Sequence, residues 1–197
     1  MTPSTALSTA ADATATNLAY GVIETSGDNS SGMVALAPEG TAAAHNYGRV
    51  TVNGEVDGIA AEELVGILTG AGEPYVSEET AAKYLVTGVV AIGDRASVWN
   101  HEGATVTATG QDASGMLAVA TSTEYAALAH NDGTIYAGLT EGYHDAAFGM
   151  AAIGGEGGAA VNNTGDIQTG GLLGFGALAA SDGNAVGYNS GTITTGS

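Results

Sequence analysis

The chain has 197 residues, of which 21 are acidic and 3 are basic, so its formal net charge is -18. Such an acidic surface repels phosphate groups, which excludes a nucleic-acid partner and disfavours anionic membranes. There is no cysteine, and therefore no disulfide framework and no thiolate chemistry. No apolar run reaches the roughly 18 residues that a membrane-spanning helix needs, so we expect no direct membrane insertion by this fragment.

The first residues are rich in Ser, Thr and Ala. We therefore expect residues 1–14 to be a flexible or capping segment. The rest of the chain, 15–197, is predicted to be a single domain, because two short patterns recur along it from 32 to 193.

The first pattern is Asn-x-Gly-x-Ile/Val. Its strict copies are 46–50, 131–135, 163–167 and 189–193, and a longer copy is 100–106. The second pattern, a Gly, a bulky apolar residue and an alternating run, precedes each copy and begins at Gly32, Gly88, Gly115, Gly149 and Gly174. Together they predict a unit of a bulky strand, an Ala-rich strand, an Asn-Gly turn and a Thr-rich strand, repeated about every 26 residues.

Residues 55–87 interrupt this repeat. Apolar residues at helical spacing between 59 and 68, and a Ser77 N-cap followed by acidic residues, predict a short helical excursion from the repeat. Loops on a regular scaffold often carry recognition, so the excursion is a candidate partner-binding element, although a cap over the side of the domain is an equal alternative. The candidate contact residues are Glu62, Glu63, Tyr75, Lys83 and Tyr84.

A unit of this length fits a three-sided coil, because three strands of about five residues and three turns need near 25 residues. Each strand would pair with the same strand of the next coil and satisfy its backbone groups. We therefore predict an all-β fold, a β-solenoid of about six coils. Asn at a turn tolerates left-handed backbone, Gly adopts it freely, and stacked Asn amides form a ladder. The asparagines predicted to share one corner are Asn46, Asn100, Asn131, Asn163 and Asn189.

The order Gly-Met-x-Ala, Asn-x-Gly-x-Ile and a Thr-rich strand resembles the repeats of classical autotransporter passenger domains, which are type V secreted surface adhesins of Gram-negative bacteria. The resemblance covers about 28–54 and 88–197. It implies a right-handed parallel β-helix, display on the bacterial outer-membrane surface, and adhesion or cell–cell autoaggregation. The implied partners are a host receptor, a matrix component, a glycan or a second copy of the chain.

Two other families remain alternatives. The run 90–96 also resembles the head repeats of trimeric autotransporter adhesins, which are shorter and lack the Asn pattern. A phage tail or spike solenoid, or an inert stalk of a larger surface protein, would use the same repeat.

Candidate catalytic and metal-binding residues do not keep fixed places in the repeat. His45, His101 and His130 lie beside Asn turns, but on different sides of the Asn, so we expect surface histidines and no metal site. Trp99 is expected in the core or at a strand end. The acids with a conceivable role are Asp112, Asp132, Glu141, Asp145, Glu156, Asp166 and Asp182. Their offsets differ, so no catalytic carboxylate pair is implied, and the chain is predicted to be a non-enzyme without cofactor. A polysaccharide-processing enzyme is the weaker alternative.

Overall fold

A computed structural model describes residues 4–8, 11–27, 30–54, 86–110, 113–138, 146–171 and 173–196. The predicted helical excursion therefore lies outside the described residues, except for its last two positions, and Thr87 already begins a strand. Within the described ranges the secondary structure is entirely strand and turn. The strands are β1 (Ser4–Leu7), β2 (Ala13–Asn17), β3 (Val22–Ser26), β4 (Ser31–Asn46), β5 (Arg49–Asn53), β6 (Thr87–Asn100), β7 (Thr105–Thr109), β8 (Ser114–Ala120), β9 (Ala127–Asn131), β10 (Thr134–Ala137), β11 (Ala146–Gly154), β12 (Ala159–Asn163), β13 (Asp166–Thr169), β14 (Leu173–Ser181), β15 (Ala185–Asn189) and β16 (Thr192–Thr195).

The strands form three parallel stacks. Face 1 contains β1, the first halves of β4 and β6, and then β8, β11 and β14. Face 2 contains β2, the second halves of β4 and β6, and then β9, β12 and β15. Face 3 is a 6-stranded sheet of β3, β5, β7, β10, β13 and β16. Each circuit through faces 1, 2 and 3 is one rung, and the predicted all-β parallel solenoid is confirmed.

Two rungs differ from the predicted three separate strands. β4 and β6 continue around the corner between faces 1 and 2, with a register shift between Ala37 and Thr41 where the chain turns. The lengths of these strands are 16 and 14 residues. Small residues near the bend, such as Gly40 and Gly93, let the strand turn while keeping its pairing to the next rung.

The N-terminal segment also takes part in the stack. β1 pairs in parallel with the first half of β4, and β2 begins at Ala13 and pairs with the second half. Residues 4–7 and 13–14 of the segment predicted as flexible or capping are thus strands of the first rung.

The interior explains why the two sequence patterns occur together. A Cβ added to Gly88 would lie 2.2 Å from Val106 Cγ1, and one added to Gly115 would lie 2.4 Å from Ile135 Cγ2. The Val or Ile of the Asn-x-Gly-x-Ile/Val pattern therefore packs against the Gly of the second pattern in the same rung. The same contact recurs at Gly32–Val50, Gly149–Ile167 and Gly176–Ile193.

In the last rung the glycine column continues at Gly176, two residues after the predicted Gly174. Met150 pairs with Ala177 and Phe148 pairs with Phe175, so Gly176 continues the glycine column that Gly174 was predicted to continue. Phe148 and Phe175 stack with ring centroids 5.1 Å apart. The last rung carries Ala177 in place of a bulky residue, and an open cavity of about 350 Å³ is lined there by Ala177, Leu178 and Ala185.

The three outer faces differ in chemistry. The outward side chains of face 3 are mainly Thr and other polar residues, such as Thr107, Tyr136 and Gln168. Those of face 1 form a second apolar cluster that is also buried, at 1–5% exposure, and consists of Val90, Ile92, Leu117, Val119 and Ala151. Face 2 carries the aromatic and imidazole rings described next.

Candidate functional site

An asparagine ladder lies along the corner where face 2 turns into face 3. Each asparagine is the last inward residue of its face 2 strand, and the four from Asn46 to Asn163 are fully buried. Each Nδ2 donates to the Oδ1 of the next rung. The distances are 2.9 Å from Asn17 to Asn46, 2.9 Å from Asn46 to Asn100, 2.8 Å from Asn100 to Asn131, 2.7 Å from Asn131 to Asn163 and 2.8 Å from Asn163 to Asn189.

Backbone groups complete the hydrogen bonds of these amides. Asn131 Nδ2 also donates to the carbonyl oxygen of Gly133 at 3.2 Å, and Asn131 O accepts from the N–H of Thr164 in the next rung at 2.8 Å. A buried amide left without partners costs about 1–3 kcal/mol, so a chain of mutually satisfied amides is what allows Asn to occupy the interior.

The turn glycines serve a purpose other than the predicted one. Among the described residues, positive φ angles occur at Tyr20 and at glycines other than those of the strict Asn-x-Gly turns. Gly165 is required because an added Cβ would lie 2.0 Å from the carbonyl oxygen of Gly133 in the preceding rung. Close approach of successive turns, and not left-handed backbone, therefore selects Gly here.

Asn17 is a sixth member of the ladder that the sequence pattern missed. In the first rung the turn is longer, because Gly21 follows Asn17 by four residues instead of two. Asn17 Nδ2 still donates to the carbonyl oxygen of Gly21 at 3.3 Å, as the asparagines of the four strict copies do to their own turn glycines. A search that allowed turns of variable length would have found it.

Flat rings line the surface beside this ladder, and we call them the ring stripe. They come from the outward positions directly before or after the asparagines of rungs 2, 3 and 4. The ring stripe consists of His45, Tyr47, Trp99, His101 and His130. Exposed side chains of Leu18, Tyr20 and Tyr188 extend the patch on either side.

The rings stack on one another. Tyr47 and His101 are parallel within 3° with centroids 3.8 Å apart, and Trp99 lies 4.4 Å from His130. Because these ring faces contact neighbouring rings, the edges, with their N–H, O–H and lone-pair groups, are what a partner can reach. The surface can therefore accept and donate hydrogen bonds over a rigid apolar base.

His130 is held in one tautomer. Its Nδ1 lies 3.1 Å from Asn162 Nδ2, which can only donate, so Nδ1 accepts and Nε2 carries the proton. That N–H donates to Asp132 Oδ1 at 2.7 Å, and Thr164 Oγ1 donates to the same oxygen at 2.6 Å. Burial acts to raise the pKa of Asp132, but the hydrogen bonds from Thr164 and His130 outweigh it, so the pKa is lowered.

His45 and His101 form a second imidazole contact, with Nδ1 of His45 lying 3.2 Å from Nε2 of His101. Burial lowers the pKa of His45. Burial, followed by the neighbouring His45, lowers the pKa of His101, although Asp132 acts in the opposite direction. Both rings are therefore neutral at pH 7, and one nitrogen of the pair donates to the other.

A polar cleft of about 330 Å³ lies at the bend between faces 1 and 2. Its lining includes Glu39, Asp94, Arg95 and Tyr125, with the Arg95 guanidinium 4.6 Å above the centre of the Tyr125 ring. Glu156 and Asp182 lie in turns at the same bend of later rungs, so this edge of the solenoid is acidic.

The other sequence-predicted residues are distributed as follows. Glu62, Glu63, Tyr75, Lys83 and Tyr84 lie outside the described residues, as do Asp112, Glu141 and Asp145. Asp166 begins β13, away from Glu156 and Asp182. Trp99 lies on the outer side of β6, one position before its end. Over the described ranges, no three imidazole or carboxylate side chains converge as a metal-binding group. The part of the chain that the structure covers contains no helix suited to crossing a membrane.

Comparison with known proteins gives one family. A family model described as "BigA third pectate lyase-like domain" matches residues 59–197, which include the described rungs from β6 onward. No curated protein and no solved structure matches the chain.

Proposed function

This chain belongs to the family of the BigA third pectate lyase-like domain, and from that premise we propose that it is a non-enzymatic adhesion domain that binds through the ring stripe. The family makes it a domain of a bacterial surface or secreted protein. Display on the outer-membrane surface as an autotransporter passenger is part of the proposal, and its basis is the resemblance of the repeats.

The ring stripe is the observation that carries this proposal. Tyr and Trp are enriched in the hot spots of protein interfaces, because they offer large rigid area at little entropy cost. Here five rings occupy adjacent surface positions on three consecutive rungs, next to a ladder that fixes their spacing. The neighbouring outer face 3 carries mainly short polar side chains, so the stripe is the flank best suited to a partner.

The placement of the acidic groups supports a binding role over catalysis. Glycoside hydrolysis requires two carboxyl groups on opposite sides of one bond. Asp132, the carboxylate within the stripe, is held by Thr164 and His130, and its pKa is lowered instead of raised. A general acid requires the opposite shift.

The experiment compares two matched variants displayed on a non-adherent bacterium. The first combines Tyr47→Ser, Trp99→Ser and His101→Ser in the stripe. The control combines Tyr136→Ser and Gln168→Ser on the outer side of face 3, outside the ring stripe. Adhesion to host cells and matrix, and cell–cell aggregation, are measured at equal surface display.

We expect the stripe variant to lose at least tenfold in adhesion or aggregation, and the face 3 control to keep it. Equal binding by the stripe variant would contradict the proposed surface. The excursion, with Glu62, Glu63, Tyr75, Lys83 and Tyr84, is then the second candidate, tested by deleting 59–86. If the unaltered chain neither adheres nor aggregates, an inert stalk explains the protein better.

Self-association and enzymatic activity have their own signatures. Two chains of net charge -18 repel each other, so homotypic aggregation should increase when salt shortens the Debye length from about 30 Å at 0.01 M to about 8 Å at 0.15 M. Binding to a neutral receptor should change little over that range. Turnover of any oligosaccharide in a glycan panel would contradict the non-enzymatic assignment.

A further inference from the structure

We infer that His45 and His101 form a binding site for a divalent first-row transition metal ion, such as Ni²⁺, Cu²⁺ or Zn²⁺. This site goes beyond the adhesion proposal and does not depend on it. The imidazole is a common ligand for these metals, whereas Ca²⁺ and Mg²⁺ prefer oxygen.

The distance between the two nitrogens suits a shared ion. His45 Nδ1 and His101 Nε2 are 3.2 Å apart and face each other. Metal–nitrogen bonds of about 2.0–2.1 Å at a tetrahedral angle place two ligand nitrogens about 3.4 Å apart. The two nitrogens are therefore already at nearly the separation of a chelating pair, and each ring must turn by about 35° so that its lone pair points at the ion instead of at the other ring.

Both imidazoles are neutral, as ligands must be, and the proton of their shared hydrogen bond has to move to the other nitrogen of its ring when an ion binds. Ligand nitrogens must be unprotonated, and burial lowers the pKa of both histidines. The charged or titratable groups that act on His101 are His45, His130 and Asp132. The carboxylate of Asp132 and the net charge of -18 both favour a bound cation.

Neighbouring rings hold His101 in place next to His45. Tyr47 lies against one face of His101 at 3.8 Å, and Trp99 lies 6.0 Å from His101. These contacts keep the ring of His101 beside His45 before any ion is bound. Because the two ligands are already close together, the ordering entropy lost on binding an ion is smaller.

His130 is excluded as the third ligand by its hydrogen bonds. Its Nδ1 accepts from Asn162, and its Nε2–H donates to Asp132, so neither nitrogen has a free lone pair. The ion would therefore keep two protein ligands, and solvent would fill the remaining positions. His130 is for the same reason the natural control residue.

The test uses the full chain without an affinity tag, titrated with NiCl₂ and ZnCl₂ by calorimetry. The variants His45→Phe and His101→Phe keep a flat ring in the stack but remove the ligand nitrogen, and His130→Gln is the control. The chain has 1 Trp, and its ring centroid lies 6.2 Å from that of His45. Quenching of Trp99 fluorescence by Cu²⁺ is therefore an independent report of binding at this place.

We expect one ion per chain, at least tenfold weaker binding in each Phe variant, and binding within twofold of the original in His130→Gln. Excess Ca²⁺ or Mg²⁺ should not displace the ion. Binding should also weaken at least tenfold between pH 7 and pH 5, since protonated imidazoles cannot ligate.

Three results would overturn the site. They are no binding by the unaltered chain, equal binding by the Phe variants, and binding that Ca²⁺ removes, which would place the ion on surface carboxylates. Circular dichroism of each variant shows that the fold persists. If a Phe variant unfolds, the pH dependence and the Trp99 quenching of the unaltered chain decide the question. The adhesion assay repeated with a chelator separates this site from the proposed function.

Discussion

Two neighbouring positions of the same strands behave in opposite ways. The inward position at the end of face 2 is Asn in all six rungs from Asn17 to Asn189. The outward position directly before it is variable, with five residue types in the six rungs: Thr16, His45, Trp99, His130, Asn162 and Tyr188.

The hydrogen bonds explain the contrast. Inside, each amide needs the acceptor of an identical amide in the next rung, so a change in one rung leaves two neighbours without a partner. On the outer side, a side chain needs no identical partner in the next rung and only has to avoid a clash with its neighbours. The repeated position therefore stabilises the fold, and the variable position is free to acquire a function.

The largest expected effect comes from breaking the ladder at its centre. Asn131→Ala removes the acceptor of Asn100 and the donor of Asn163, both buried. We expect a loss of about 2–4 kcal/mol in the free energy of unfolding, measured with urea. Asn189→Ala, at the exposed end, is the control and should cost less than about 1 kcal/mol. Equal losses of stability at the two positions would contradict a ladder that is buried at Asn131 and exposed at Asn189.

The next effect comes from the glycine column of face 1, which packs against the Val and Ile side chains of face 3. A Cβ at Gly115 would lie 2.4 Å from both Gly149 O and Ile135 Cγ2. We expect Gly115→Ala to destabilise the chain by about 1–3 kcal/mol, as overpacking does. Gly187→Ala is the matched control, because the nearest atom to its Cβ is 3.5 Å away. Thermal unfolding of the two variants should separate them clearly.

A change on the outer position should cost less than either interior change. Trp99→Thr removes a stacking contact with His130 at 4.4 Å, which is worth about 0.5–1.5 kcal/mol. The urea midpoint should therefore fall less than for Asn131→Ala, while adhesion falls more. Ser97→Ala, on the same outer side of β6, is the control for the effect of any substitution on this side of the strand. A larger loss of stability for Trp99→Thr than for Asn131→Ala would contradict the contrast between the inner and outer positions.

The smallest effect is a dependence of stability on pH. The folded pKa of His45 and of His101 lies below the usual 6.5, so the unfolded chain binds more protons. The stability that these rings contribute is complete above about pH 6.5 and is lost as the pH falls through the folded pKa values. In the double variant His45→Phe/His101→Phe, the urea midpoint should fall less between pH 7 and pH 5 than it does in the unaltered chain. An equal fall of the urea midpoint in both proteins would show that these two rings do not cause the pH dependence.

The sequence predicted much of the fold because the solenoid repeats its internal contacts. The Asn, Gly and Ile/Val marks correspond to the ladder, the glycine column and the side chains that pack on that column. The missed member, Asn17, and the misplaced mark at Gly174 occur where a turn has a different length or where Ala177 replaces a bulky residue.

The ring stripe was harder to predict. The sequence marks its three histidines and Trp99 as separate residues and does not mark Tyr47, because nothing in one rung shows which residues meet in the next. The contacts span sequence separations such as 56 residues between His45 and His101, and they depend on the register across rungs. Once that register is known, the rings before and after each Asn fall into neighbouring columns.

Hydrogen exchange of the asparagine side-chain amides, followed by NMR, tests the ladder most directly. We expect slow exchange for Asn46, Asn100, Asn131 and Asn163, whose amides donate within the stack, and faster exchange for Asn189 at its exposed end. Exchange at the rate of a free amide for the central asparagines would contradict the ladder.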